Sequence, residues 1–173
     1  NMLRFEEGIK YMISSIEMSK EHNIIIGLWM LLFKISETYY VIGKKELGKK
    51  YFEEGLKYVG ISNPKIFEQW KLRLEVYDEL SQLQPDFDKC LSIIDKILGI
   101  VKSIGKYYEY LYHYNLGLKA QVLILKGNIS EGHKLYDEIK KFYISRDLKN
   151  EIKNIDNIIK AISGNNEDFI SEE

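Results

Sequence analysis

The chain is poor in the residues that staple or punctuate a fold. Its one cysteine, Cys90, has no second thiol to pair with, so no internal disulfide forms, and a lone thiol fits a reducing compartment. Two prolines, Pro64 and Pro85, are too few for the many turns of an all-β fold. Arginine is confined to Arg4, Arg73 and Arg146, with lysine carrying the rest of the positive charge. Arginine is the usual reader of phosphates and base edges, so direct nucleic-acid binding by this segment is not expected. A net charge of −1 leaves no global field to steer a strongly charged partner. The most apolar run, 24–33, is far short of the roughly 20 residues a membrane helix needs. The N-terminus carries Arg4, Glu6, Glu7 and Lys10, unlike a secretory leader. A cytoplasmic protein with no membrane partner is expected. Asn1 ahead of Met2 reads as a cloning remnant, with Met2 either a native start or the first residue of an excised segment.

Catalytic signatures are missing as well. The chain has no HExxH, GxSxG or GxxxxGK[ST] pattern, the spacings that build zinc, nucleophile-elbow and phosphate-loop chemistry. Its histidines are His22, His113 and His133. Glu109 with His113, and His133 with Asp137, stand four apart on expected helices, but neither pair has a third ligand to close a metal site. The carboxylates alternate with lysines at helical spacing, as solvated surface pairs do. No enzyme, no metal and no cofactor are expected.

What the sequence does have is helical periodicity. A chain of 173 residues buries about 70% of its unfolded surface, and apolar stripes at i, i+3, i+4, i+7 supply that surface. One helix is expected over 2–21, with Ile9, Met12, Ile13 and Ile16 on its apolar face. A second is expected over 24–42, apolar nearly all round and therefore buried. A third covers 44–59. Asn63-Pro64 is a strong helix start, with a capping amide before a proline at the first helical position. That helix runs to about Leu83, where Gln84-Pro85 breaks it. Helices over 86–104, 107–126, 129–144 and 146–162 follow. Gly105 and Gly127 separate them, and 164–173 reads as an acidic, frayed tail.

The stretch 35–60 organises the rest. Ile35, Ser36 and Tyr39 set a large, a small and an aromatic residue on one helix; Gly43 makes the turn; Gly48, Phe52 and Gly55 set small, aromatic and small on the next. This resembles a tetratricopeptide (TPR) repeat, a helical hairpin that stacks into a solenoid. Small residues open the second-helix packing at Gly8, Gly48, Cys90 and Gly132, in steps of 40, 42 and 42 residues. That period exceeds the ~34 of the standard repeat. Cys90 is therefore expected as a buried small residue, not a reactive thiol. Asp78, Ser81 and Lys119 depart from the pattern, and a HEAT-like helical array stays open beside it. The resemblance implies an all-α fold: a right-handed α-α superhelix of about eight antiparallel helices forming one domain over 2–163, with the last helix as a polar cap.

In the resembled family, the first helix of each hairpin lines an inner, partner-binding face. Carried over, that face is Met30, Phe33, Glu37, Tyr40 and Val41 in the first hairpin. It is Leu72, Glu75, Glu79 and Gln82 in the second, and Tyr110, Tyr114, Gln121 and Ile124 in the third. Aromatic walls with a few amides and carboxylates suit a protein or peptide partner. Phe33 and Glu37 fall where chaperone-binding repeats need basic and amide residues, so capture of a chaperone's C-terminal carboxylate is not expected. The function implied is a non-catalytic binding scaffold. Two alternatives stand beside it. One is a peptide-sensing fragment of a larger bacterial transcription regulator. The other is a self-assembly module, a homodimer through 2–21, which looks like a second helix without its first.

Overall fold

The computed structural model describes residues 2–25, 27–59, 64–153 and 155–156. The protein is all-helical, with consecutive helices packed pairwise and running back on one another. Two compact units divide the chain, Asn1–Asp86 and Phe87–Glu173. Among the described residues, no helix is long and apolar enough to cross a membrane.

The first unit holds α1 (Met2–Glu21), α2 (Leu28–Val41), α3 (Lys45–Val59) and α4 (Pro64–Leu80). Ile9 and Ile16, seven apart on α1, pack onto Leu28, Leu32, Ile35 and Tyr39 of α2, with Met12 and Ile13 at the edge of the same cluster. The helical period predicts that seam. The other side of α2 builds an aromatic stack. Phe33 lies between Phe52 of α3 and Trp70 of α4, with ring centroids 4.8 and 4.6 Å away. Burying each such ring contributes about 1.5–3 kcal/mol. A buried hydrogen bond from the Ser36 hydroxyl to the Gly48 carbonyl, 2.7 Å, ties α2 to α3.

The second unit holds α5 (Phe87–Ile104), a 3-10 turn (Lys106–Tyr108), α6 (Glu109–Leu125) and α7 (Ile129–Ser145), followed by helical residues at 149–153 and 155–156. Cys90, Ile94, Ile97 and Val101 are buried on one stripe of α5; Ala120, Val122, Leu123 and Ile124 are buried on α6, and Tyr136, Ile139 and Tyr143 on α7. Cys90 has no exposed surface and is a free thiol inside the packing, as the repeat spacing predicts. Ion pairs from Lys119 to Asp95, from Lys126 to Asp88 and from Lys140 to Asp156 lie across neighbouring helices at the surface, where each contributes at most about 1 kcal/mol.

Glycine is required where helices touch. A Cβ on Gly55 would stand 2.7 Å from the Phe33 ring, and one on Gly132 would stand 2.9 Å from the Ala120 carbonyl oxygen. Of the regularly spaced small residues, Gly132 and Gly48, where a Cβ would stand 2.6 Å from the Tyr40 ring, mark points of close helix approach. Gly8 does not share that role, since a Cβ there would meet nothing within 4 Å.

Four helices end in one way. After α1, α2, α6 and α7 the chain passes through a left-handed residue: Asn23 (φ 53°), Gly43 (76°), Gly127 (95°) and Asp147 (55°). In each case the next amide reaches back to a carbonyl five residues earlier, at 2.7–3.0 Å: Ile24 to Ser19, Lys44 to Tyr39, Asn128 to Leu123, Leu148 to Tyr143. These bonds satisfy carbonyls that a helix end otherwise leaves open.

Several boundaries differ from the sequence-based expectation. The helix expected from Ile24 begins only at Leu28, because left-handed Asn23 and Gly27 (φ 85°) bracket the isoleucine run, and β-branched residues add little helical drive. The α4 helix stops at Leu80, not Leu83. Beyond it the Ser81 hydroxyl and the Gln82 amide both donate to the Asp78 carbonyl, a local competition that ends helices. The helix expected from Tyr107 opens with a 3-10 turn and becomes α-helical at Glu109. The helix expected from Arg146 starts at 149, because left-handed Asp147 precedes it. Its later part, the tail 164–173 and the Asn63 cap lie outside the described residues.

Candidate functional site

Of the thirteen residues expected on a binding face, nine belong to the first unit; among them Val41 is exposed and Leu72 is buried. Met30 is exposed over about half its surface (54%), but Phe33 has none exposed and Tyr40 is buried. Phe33 sits inside the aromatic stack. Tyr40 covers Gly48, stacks on Tyr77 at 5.8 Å and donates from its hydroxyl to Asp78 at 3.2 Å. Burial, then the charge of Asp78, raises the Tyr40 phenol well above its ordinary value. Glu37 is buried too and receives hydrogen bonds from the guanidinium of Arg73, one of them from Nε at 3.0 Å. Its charge is answered by Arg73 and is not laid along an open face. Glu75 and Gln82 are exposed; Glu79 is half-buried and accepts from the Asp86 amide at 3.1 Å. The reason for this inward turn is that α2 is apolar on almost every face, so α1, α3 and α4 all find surface to cover.

Of the four residues in the second unit, Ile124 is buried in the core, and the other three lie on one side of α6. Tyr110, Tyr114 and Gln121 are spaced i, i+4, i+11, which returns them to one face. The Tyr110 and Tyr114 rings are nearly parallel, with centroids 6.3 Å apart and planes 10° apart. Tyr110 is 43% exposed, while Tyr114 and Gln121 are half-buried. The Tyr110 ring also meets Tyr143 at 6.0 Å, and its hydroxyl donates to Glu151 at 3.1 Å. Burial, helped by the Glu151 charge, pushes the Tyr143 phenol up to about 12.

Beside Tyr110 is a cleft of about 350 Å³, lined by Lys106, Glu109, Tyr110, Phe142, Arg146 and Leu148. It forms where the start of α6 meets the end of α7 and the turn beyond. Arg146 is part of its lining. Its guanidinium donates to the Glu109 carboxylate at 2.8 Å and lies 5.6 Å from the centre of the Phe142 ring. Phe142 also stacks on His113 at 3.7 Å, with the ring planes 1° apart. His113 Nδ1 is 2.8 Å from the Glu109 carbonyl; a carbonyl only accepts, so Nδ1 carries the hydrogen. The Glu109 and His113 side chains, read from sequence as a possible metal pair, are therefore given to different partners.

Phe142, Arg146, Lys106 and Leu148 were not anticipated as site residues. Local sequence signals point to α7 and the following turn as packing and connection; the cleft exists only because α7 returns its last turn to the first turn of α6. No protein family model, curated protein or solved structure matches the chain.

Proposed function

We propose that the protein is a non-catalytic scaffold of TPR-like helical hairpins that binds a protein or peptide, and that it does so through the α6 face carrying Tyr110 and Tyr114. The reading is supported chiefly by the stacked, partly exposed Tyr110–Tyr114 pair bordering an aromatic-walled cleft. Tyrosine brings large contact area at little conformational cost, which is why it concentrates at binding surfaces. The α6–α7 hairpin behind it is held by the close contact at Gly132 and by the closure after α6. Such a frame holds the two rings in place before a partner arrives, lowering the ordering cost of association.

The test is affinity capture of the chain from its native extract, compared with the Tyr110→Ala/Tyr114→Ala double variant. A specific partner retained by the wild type and lost by the variant is the expected result. Undiminished capture by the variant removes this face from the function.

A further inference from the structure

We propose that the cleft beside Tyr110 takes one large apolar side chain of an extended acidic peptide, and that Lys106 receives the carboxylate flanking it. The proposal rests on the partner-binding reading above and adds the chemistry of the partner.

The walls set the anchor. Tyr110, Phe142 and Leu148 present apolar surface to about 350 Å³ of open space. That is near the lower end of ligand-pocket volumes, enough for one aromatic side chain. Phe142 is clamped between His113 and Arg146, and Tyr110 is braced by Tyr114 and Tyr143. The slot is therefore pre-formed. The α6 face extends it: from Tyr110 to Gln121 is about 16 Å along the helix axis at 1.5 Å per residue. Roughly five extended peptide residues cover that distance.

The charges select the flanks. Arg146 and Glu109 answer each other. Glu151 is turned to the Tyr110 hydroxyl and is not part of the lining. Lys106 is exposed and pairs with no acidic side chain among the described residues. The lining thus carries one charge that no acidic side chain answers, on Lys106, beside an apolar interior. A carboxylate beside the anchor is attracted there, and an ammonium is repelled.

The experiment is fluorescence anisotropy of the full chain with a labelled hexapeptide holding one Phe among Glu and Asp. Two control peptides replace the Phe by Ala, or every acid by Lys. The acidic Phe peptide binds, and each control binds at least tenfold more weakly. Lys106→Glu, an exposed change that leaves the helical circular-dichroism spectrum intact, weakens the acidic peptide about tenfold, and raised salt weakens it further. Equal binding of the lysine peptide, no effect of Lys106→Glu, or no binding of the acidic peptide each overturns the proposal. So does concentration-dependent self-association abolished by Lys106→Glu, which would seat a second copy in the cleft. Partner capture lost on changing Tyr110 and Tyr114, with no acidic-peptide binding, overturns this inference alone. Capture unaffected by those changes overturns the partner-binding reading itself.

Discussion

Glu37 and Arg73, 36 residues apart in the chain, meet as a buried ion pair between α2 and α4. The guanidinium also donates to the Tyr77 hydroxyl at 3.0 Å and lies 5.2 Å from the centre of the Trp70 ring. Two charges removed from water are tolerated because the carboxylate receives both Nε and Nη2 of one planar group. Nothing in the local sequence around either residue announces the pairing.

Removing one partner leaves the other charge buried and unanswered. Arg73→Met is expected to cost about 3–5 kcal/mol. The Glu37→Met/Arg73→Met double variant should lose clearly less than the sum of the two single variants. Urea denaturation of all four proteins closes the cycle, and additive losses would mean that the pair contributes no specific coupling.

The glycines separate by environment. Gly132→Ala forces a methyl against the Ala120 carbonyl and the Ile124 side chain and is expected to destabilise by about 1–3 kcal/mol, the usual cost of overpacking. Gly99, inside α5, has no atom within 4 Å of where a Cβ would stand. Gly99→Ala should stabilise by about 0.5–1 kcal/mol through helix propensity alone. Thermal melts that move both variants in the same direction would refute the assignment of Gly132 as a contact point.

The turn after α7 carries a side chain where Gly fits better. Asp147 adopts φ 55°, a conformation that costs an L-residue about 1–2 kcal/mol. Its contact with Lys149 is long, at 3.5 Å, and both side chains are largely exposed. Asp147→Gly should therefore raise the melting temperature, while Gly127→Asp, at the matching position after α6, should lower it. Unchanged midpoints for both would show that the closures tolerate any residue.

Alkaline pH should unfold the protein through its buried phenols. The Tyr143 pKa is pushed up to about 12, by burial first, and the Tyr77 and Tyr136 phenols are likewise raised, again chiefly by burial. A raised folded-state pKa means that the native state holds its proton longer than the unfolded chain, whose tyrosines release theirs near pH 10. This contribution is complete below about pH 10 and is lost as pH climbs toward about 12 for Tyr143. The slope is about 1.4 kcal/mol per pH unit for each such group. Ultraviolet tyrosinate absorbance recorded alongside circular dichroism should show a late ionisation phase that coincides with loss of helix. Complete ionisation near pH 10 with the helices intact would contradict it.

Much of the architecture was legible in the residues. Period-3.6 apolar stripes placed the helices among the described residues, Pro64 marked a helix start, and Gly43 and Gly127 marked turns, because these signals act through the backbone of a few adjacent residues. The spacing of Gly48, Cys90 and Gly132 marked packed positions for the same kind of reason: a small residue is needed wherever a neighbouring helix comes close. The left-handed roles of Asn23 and Asp147 were harder to see, since asparagine and aspartate serve many turn and surface positions.

The sequence by itself determined the helical class, the order of the helices and most of their limits, since propensity, capping and turn chemistry are local. Only the tertiary structure decided where side chains on α2 and α6 go. Phe33 and Glu37 turned inward because α2 is covered from several sides, so its apolar pattern has no single inner face to read. Lys106, Phe142 and Arg146 came to border Tyr110 because α7 runs back along α6 and returns its last turn to the α6 start. The physical reason is one of range: a helix is specified within a few residues, whereas burial, pairing and cleft formation depend on which distant segment arrives to cover each face.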